Sequence, residues 1–414
     1  MSDTTAAKRS PWRRIIDEMV YGAGWLVTLL SIVLAMAVGA ILIIVSDPDV
    51  RGTFSYFFSR PGDALSASGD AVWTAYKALF TGAIWNPERS WNAATALGPI
   101  SETLTEATPL LLGGLAIGLA FKAGLFNIGG QGQLIVGAIC ANYVGFTMTG
   151  PPGVAVLAAV LAGVFGGAVY GALVGLLKAR TGAHEVIVTI MLNHIAAAFL
   201  AWVLTTSVFK NPTRNDAISK SVSDDALLPR LLSWLPEGSG LRLNSGLLLA
   251  ALATVFCWWL LSRSTLGFEL RAVGANAAAA RTAGMSVGRS QIMAMMISGG
   301  LMGVVGATQV LGTTNASHAL TPQVDAGLGF TAITVALLGR ASPVGTVFAA
   351  LLFGALQAGG RAMQAQAGVS IEIVGVIQAL IVLFVAAPPL IRGLFRLRGG
   401  ESAQAALASK GWNG

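Results

Sequence analysis

The sequence predicts an all-α integral membrane protein with about ten transmembrane helices, and three observations carry that prediction. Hydrophobic residues make up 54% of the 414-residue chain and charged residues only 11%, with a mean hydropathy of +0.70; soluble domains carry about 25% charged residues. Apolar runs of roughly 20 residues recur along the chain, each long enough to cross a hydrocarbon core about 30 Å thick as a helix. The alternating strands of about ten residues that a membrane barrel requires do not occur.

In chain order, residues 1–24 form a tail carrying Lys8, Arg9, Arg13 and Arg14 ahead of the apolar run 25–45. That run is too long for a signal-peptide core and lacks a small-x-small cleavage site, so it reads as a retained anchor with a cytoplasmic N-terminus. Residues 46–97 are mixed and turn-rich. Trp73, Tyr76, Phe80, Trp85 and Trp91 are spaced through them, which fits an interfacial helix on the outer surface. Further spans are expected at 98–121, 131–148, 154–177, 186–209, 246–262, 291–311, 326–339, 343–359 and 371–391. The transmembrane domain is thus 25–391, with extracytoplasmic loops at about 46–97 and 210–245, a cytoplasmic loop at 263–290 and a cytoplasmic tail at 392–414. Blocks 98–209 and 291–391 each hold four spans and begin on opposite sides, which makes them candidates for an inverted repeat.

Under this topology both termini lie inside, 16 of the 26 Lys and Arg fall on the inner side, and 13 of the 19 Asp and Glu fall on the outer side. The bias runs in the direction of the positive-inside rule. The pI of about 9.7 therefore reports topology and not nucleic-acid binding, because the basic residues flank apolar runs and form no polar, aromatic-interleaved face. Cys140 and Cys257 each fall inside an apolar run and read as small core residues, not as a disulfide or a metal site.

The long polar stretch on the inner side is 263–290. Asn276 is a good N-cap for the run 277–283 and Gly284 a good C-terminal stop, which gives a helix of two turns. So short a helix is marginal alone in water. Its surface is mostly alanine, which lets a partner's backbone or groove approach closely; a tight turn between two spans is the plainer reading.

Two spans are irregular. The span 326–339 is short and bracketed by Gly327, Gly329 and Gly339, and 98–121 contains Pro99, Pro109, Gly113, Gly114 and Gly118. Broken helices are tolerated at membrane depth only where protein or water receives the freed backbone groups, so both spans are candidates to line a pathway. Asn127, Gln131 and Gln133, in the glycine-rich turn LFNIGGQGQL, either satisfy such broken backbone or contact a polar solute. His194, beside Asn193, bonds either a neighbouring helix or a ligand. Glu102 and Glu106 share a helix face; either they flank an outer vestibule or their helix begins later than residue 98. Asp325, Glu372 and Glu185 read as acids at helix starts, where the helix dipole favours them. Gly163, Gly167, Gly171 and Gly175 stack on one face, a pattern for close helix packing within the chain or with a second subunit.

No phosphate loop, HExxH motif or nucleophile elbow occurs, so the chain reads as a transport protein without its own ATPase chemistry and not as an enzyme. Its acids map to span ends or loops, whereas an ion-coupled carrier usually keeps paired charges near the bilayer centre. That favours an energy source on another subunit. A secondary carrier or channel working without a motor is the competing reading.

The stretches PLLLGGLAIGLAFKAGLFNIGGQGQLIVGA (109–138), HEVIVTIMLNHIA (184–196), ELRAVGANAAAARTAGMSVGRS (269–290) and GLGFTAITVALLGRASPVGTVFAALLFGAL (327–356) resemble the permeases of bacterial ABC importers. Within that class the resemblance is greatest to the simple-sugar and nucleoside branch, related to the branched-chain amino acid permeases, and it covers residues from about 100 to 390. It implies a multi-pass subunit of the bacterial inner membrane, working in the lipid bilayer with a cytoplasmic ATP-binding subunit, a second related permease and an extracytoplasmic substrate-binding protein or lipoprotein. ATP is then bound by the partner and this chain holds no cofactor. The resemblance also implies that 263–290 is the loop that couples to the ATPase, through Glu269, Arg271, Gly274, Asn276, Ala279, Ala280 and Gly284. The stretch AAARTAG (278–284) matches the EAA-x-x-x-G coupling pattern at Ala279, Ala280 and Gly284, but has Ala278 where the acid stands and lacks the downstream proline. Substrate contacts are expected from Asn127, Gln131, Gln133, Asn193, His194 and Phe330. A nucleoside is the first expected substrate, a simple sugar the second and a branched-chain amino acid the third.

Overall fold

The computed structural model describes residues 24–395 apart from 152, 237–239, 313–316, 388–389 and 392–393. The tails expected at 1–24 and 392–414 lie almost wholly outside the described residues. Fourteen α-helices occur among the described residues: α1 (Gly24–Ser46), α2 (Pro48–Phe54), α3 (Pro61–Ala83), α4 (Ala93–Lys122), α5 (Gly130–Thr147), α6 (Val154–Thr181), α7 (Glu185–Val203), α8 (Gly246–Arg263), α9 (Thr265–Ala275), α10 (Ala277–Thr282), α11 (Val287–Leu311), α12 (Leu328–Leu338), α13 (Pro343–Ala367) and α14 (Ile371–Ala386). A helix stands at each of the expected spans. Among the described residues seven helices are long and apolar enough to cross a membrane by length and composition; α5, α12 and α14 are not among them.

Local chemistry explains where the boundaries depart from expectation. α4 starts at Ala93, five residues before residue 98, because Asn92 and Thr95 form a reciprocal cap: Asn92 Oδ1 accepts from the Thr95 amide at 2.7 Å, and the Asn92 amide donates to Thr95 Oγ1 at 3.3 Å. The helix then runs through Pro99 and Pro109, and the reading in which it begins after Glu102 and Glu106 is overturned. α7 stops at Val203 and not near 209, as Leu204 to Lys210 fold into successive turns. α13 continues to Ala367, past the expected 359, and ends at Gly368 with φ +65°. The stretch 46–97, expected to be turn-rich with one interfacial helix, holds both α2 and the 23-residue α3.

By compactness the described residues divide into those up to 72 together with those from 372 onward, and residues 73–371. In the first unit Asp47 starts α2, its Oδ1 accepting from the amides of Asp49 and Val50 at 2.9 and 3.2 Å, with Pro48 at the first helical position. In the second unit α4 is the central element, buried all round from Thr105 to Ala120 and packed by α8, α9, α11, α12 and α13.

The crossing of α6 and α11 shows what holds this fold. A β-carbon built on Gly167 would overlap the carbonyl of Gly299, one on Gly303 the carbonyl of Gly163, and one on Gly175 would lie 2.7 Å from Cα of Ile292. The four-residue glycine repeat therefore packs within the chain, backbone against backbone. The large side chains of α6 point the other way: Leu157, Leu161, Phe165 and Val169, also four residues apart, are exposed. Lipid tails are as apolar as leucine, so burying leucine between helices gains little there. Close van der Waals approach of small residues takes over, and large residues face the lipid.

Replacing Gly303 by Ile is therefore expected to destabilise the detergent-solubilised protein by about 1–3 kcal/mol or more through overpacking. Gly52→Ala, at a site in α2 with no atom within 4 Å, is expected to be neutral or to stabilise slightly. Thermal unfolding of both variants checks this; equal melting temperatures for Gly303→Ile and wild type would contradict it.

Candidate functional site

The chain leaves helical geometry between α4 and α5, where Gly124 takes φ +71°. Amide side chains close the break. Asn127 Oδ1 accepts from the Gly129 amide at 3.0 Å, and Asn127 Nδ2 donates to Gln133 Oε1 and to Ser298 Oγ, both at 2.9 Å. Ser298, on α11, in turn donates from Oγ to the carbonyl of Ala116 at 2.7 Å. From α7, Asn193 reaches across as a peptide group would: Oδ1 accepts from the Gly132 amide at 2.8 Å and Nδ2 donates to the Ile128 carbonyl at 3.0 Å. Asn127 and Gln133 are fully buried and Asn193 nearly so. These bonds supply the partners that a broken helix needs at membrane depth.

Of the residues expected to contact substrate, three thus converge with Ser298, a lone serine that carries no pattern in the sequence. Gln131 lies beside them and turns to the second irregular span. Its Nε2 donates to Asp325 Oδ2 at 2.8 Å, and Gly329 sits so close that a β-carbon there would lie 2.6 Å from the Gln131 amide nitrogen. The starts of α5 and α12 therefore meet backbone to backbone. His194 and Phe330 do not join this cluster; both side chains are exposed.

The coupling stretch contains two helices where one was expected. Ser264 caps α9, its Oγ accepting from Gly267 at 2.9 Å, and Asn276 caps α10, its Oδ1 accepting from Ala279 at 3.0 Å. α10 is closed by the amide of Gly284 on the Arg281 carbonyl at 2.9 Å and of Met285 on the Ala280 carbonyl at 3.0 Å. Gly284 has φ +82° with open space around it, so backbone conformation and not crowding requires glycine. Ala280 is buried and Glu269 half-buried, while Arg271, Asn276, Ala279 and Gly284 are exposed along with Ala275, Ala277, Ala278, Arg281, Thr282 and Ala283. Gly274 fixes this unit to α4: a β-carbon there would overlap the Lys122 carbonyl and lie 2.7 Å from the Gly124 nitrogen. The exposed alanine helix is thus seated, through one glycine contact, on the residue where the polar break begins.

At the opposite end of α4, Glu102 and Glu106 enter a four-residue charge network. Arg242, from the segment before α8, grips Glu102 with Nε at 2.9 Å from Oε1 and Nη2 on Oε2, and its Nη2 lies 3.6 Å from Glu106. Arg361, on α13, donates to Glu106 Oε1 at 2.6 Å and lies 3.5 Å from Glu102. The Glu102 carboxylate raises the Arg242 pKa above its usual value. Glu102 also borders an open cleft of about 420 Å³ lined by Thr81, Thr95, Gly98, Gly240 and Gln366.

The family described as branched-chain amino acid transport system / permease component matches residues 100–386. The chain is similar to the guanosine ABC transporter permease protein NupP of Bacillus subtilis (strain 168), 36% identical over 89% of this chain and 94% of that protein. It is 33% identical to the glucose ABC transporter permease protein TsgB13 of Haloferax volcanii, over 69% of this chain and 75% of that protein. To the nucleoside ABC transporter permease protein NupB of Lactococcus lactis subsp. cremoris it is 32% identical over 79% and 90%. No solved structure matches.

Glu106 is the buried member of the charge network, so Glu106→Gln is expected to lower stability by about 1–3 kcal/mol, leaving Arg361 with only the more distant carboxylate of Glu102. In a double-mutant cycle with Arg361→Gln the coupling energy is expected to be about 0.5–3 kcal/mol. Additive effects in thermal unfolding would show that the two residues do not act as a pair.

Proposed function

This chain belongs to the family of branched-chain amino acid transport system permease components, and we propose on that footing that it is the membrane subunit of an ATP-driven importer of nucleosides. Two of the three relatives above bear guanosine or nucleoside in their names. The glucose permease among them makes a simple sugar the second substrate class.

The observation that carries the mechanism is the seating of α9 and α10 on the end of α4 through Gly274. A cytoplasmic ATP-binding subunit grips the exposed alanine face between Asn276 and Gly284, with Arg271 at its border. Its closure displaces α10, and the Gly274 contact passes that displacement to Lys122 and Gly124. From there it reaches the break at Asn127, where α4, α5, α7 and α11 are joined. A lever of this kind needs rigid joints, and backbone-to-backbone packing provides them because it leaves no side chain to absorb the motion. The polar solute passes along the irregular spans near Asn127, Gln131, Gln133 and Asn193, with His194 and Phe330 at the margin. A second, related permease completes the pathway, and an extracytoplasmic binding protein or lipoprotein delivers the solute. The topology we assign has ten crossings in the bacterial inner membrane, both termini cytoplasmic and blocks 98–209 and 291–391 related as inverted repeats; the charge bias supports it.

Vesicles holding the chain with its copurified partners are expected to take up labelled guanosine only when ATP is present, and to continue after the proton gradient is collapsed. Uptake that ignores ATP and follows an ion gradient would move the chain to the carrier class. Gly284→Val forces a β-branched residue into left-handed backbone at a cost of about 1–2 kcal/mol in the α10 stop. It is expected to cut ATP-driven uptake at least about tenfold with the amount of protein in the membrane unchanged. Wild-type uptake by that variant would overturn the role given to α10.

A further inference from the structure

Seven buried amide side chains occur among the described residues: Asn127, Gln133, Asn142, Asn193, Asn244, Gln309 and Gln378. Six of them have partners. Gln309 is 6% exposed and its Nε2 has none. A buried amide nitrogen without a partner is a standing cost, and in a membrane protein no solvent offsets it from outside. Such a group persists where another molecule or another state of the protein completes it.

The place of Gln309 on α11 says which. Seven residues are two helical turns less about 20°, so Gln309 shares a face with Met302. Met302 packs over the backbone of Gly113 in α4 and Gly130 in α5. Four residues before Met302, on the same side, Ser298 bonds to Asn127 and to the Ala116 carbonyl. This face of α11 therefore carries contacts to α4 and α5, and Gln309 is its one buried polar group left unbonded. Among the described residues the other buried side-chain atoms without partners are Ser290 Oγ, on a different face of α11, and His318 Nδ1, outside it.

We propose that Gln309 is a specificity-determining residue of the pathway, its amide donating a hydrogen bond to an acceptor oxygen or nitrogen of the transported nucleoside. The inference rests on the function proposed above. It assigns the chemistry of recognition to a donor that is desolvated in advance, so a solute with a matching acceptor gains the bond without first stripping water from the site.

The test is ATP-driven uptake of labelled guanosine by proteoliposomes holding the complete transporter, wild type against Gln309→Leu and Gln309→Met. Both variants are expected to raise KM about tenfold to hundredfold with Vmax changed less than about threefold, since they remove the donor at similar volume. Both are also expected to raise the melting temperature of the solute-free transporter, because a buried unbonded amide has been replaced by an apolar group. KM within about twofold of wild type would overturn the assignment. So would a fall in melting temperature, which would mark the amide as a structural bond formed in another state. Should one variant fail to assemble, the other reads the same two quantities. Absence of ATP-driven guanosine uptake by the wild type would instead contradict the proposed function itself.

Discussion

Backbone groups at membrane depth must find their hydrogen-bond partners inside the protein, and the structure of this chain depends on how it meets that demand. Where α4 gives way to α5 the helical ladder is interrupted, and Asn127 and Asn193 restore it with side-chain amides. These bonds fix α7 and α11 to the break, because Asn193 comes from one and the partner Ser298 from the other. The same demand explains why α4 tolerates Pro109 in its interior: it is buried against five neighbouring helices and no lipid reaches its backbone.

A second constraint follows from the solvent. With no hydrophobic gain available between helices in lipid, glycine faces decide which helices touch. Gly163, Gly167, Gly171 and Gly175 of α6 meet Gly303, Gly299, Met295 and Ile292 of α11 in turn, while Gly274 meets Gly124 and Gly329 meets Gln131. These contacts link the exposed α10 to the end of α4, and the α4–α5 break to α12. The chain of joints between the proposed motor contact and the proposed solute path is thus built largely from backbone. At the other end of α4 the joint is electrostatic, with Glu102 and Glu106 held by Arg242 and Arg361.

What the sequence made legible was local. The cap at Asn276 and the stop at Gly284 are short-range chemistry, and a helix lies between them. The glycine repeat of α6 was legible as a packing face, although its partner helix was not, because pairing is a property of the tertiary fold. The two carboxylates of α4 were legible as an oddity needing explanation; the arginines that answer them lie 140 and 255 residues away along the chain. α9 went unread because TLGFELRAVGA is short and carries two glycines, Gly267 and Gly274, which lower helix propensity. The expected start at residue 98 missed the Asn92–Thr95 cap, which lies in the mixed stretch before the apolar run. Ser298 and Gln309 carry no motif; placement beside the break gives Ser298 its meaning, and a buried amide nitrogen without a partner gives Gln309 its own.

In the proposed mechanism, motion at α10 reaches the α4–α5 break through the contact of Gly274 with Lys122 and Gly124. The most direct measurement is the ratio of guanosine taken up to ATP hydrolysed by the complete transporter carrying Gly274→Leu. Hydrolysis is expected to continue near its wild-type rate while uptake per ATP falls at least about tenfold, the joint having been pried apart without loss of the motor. An unchanged ratio, with both rates intact or both reduced together, would contradict that mechanism.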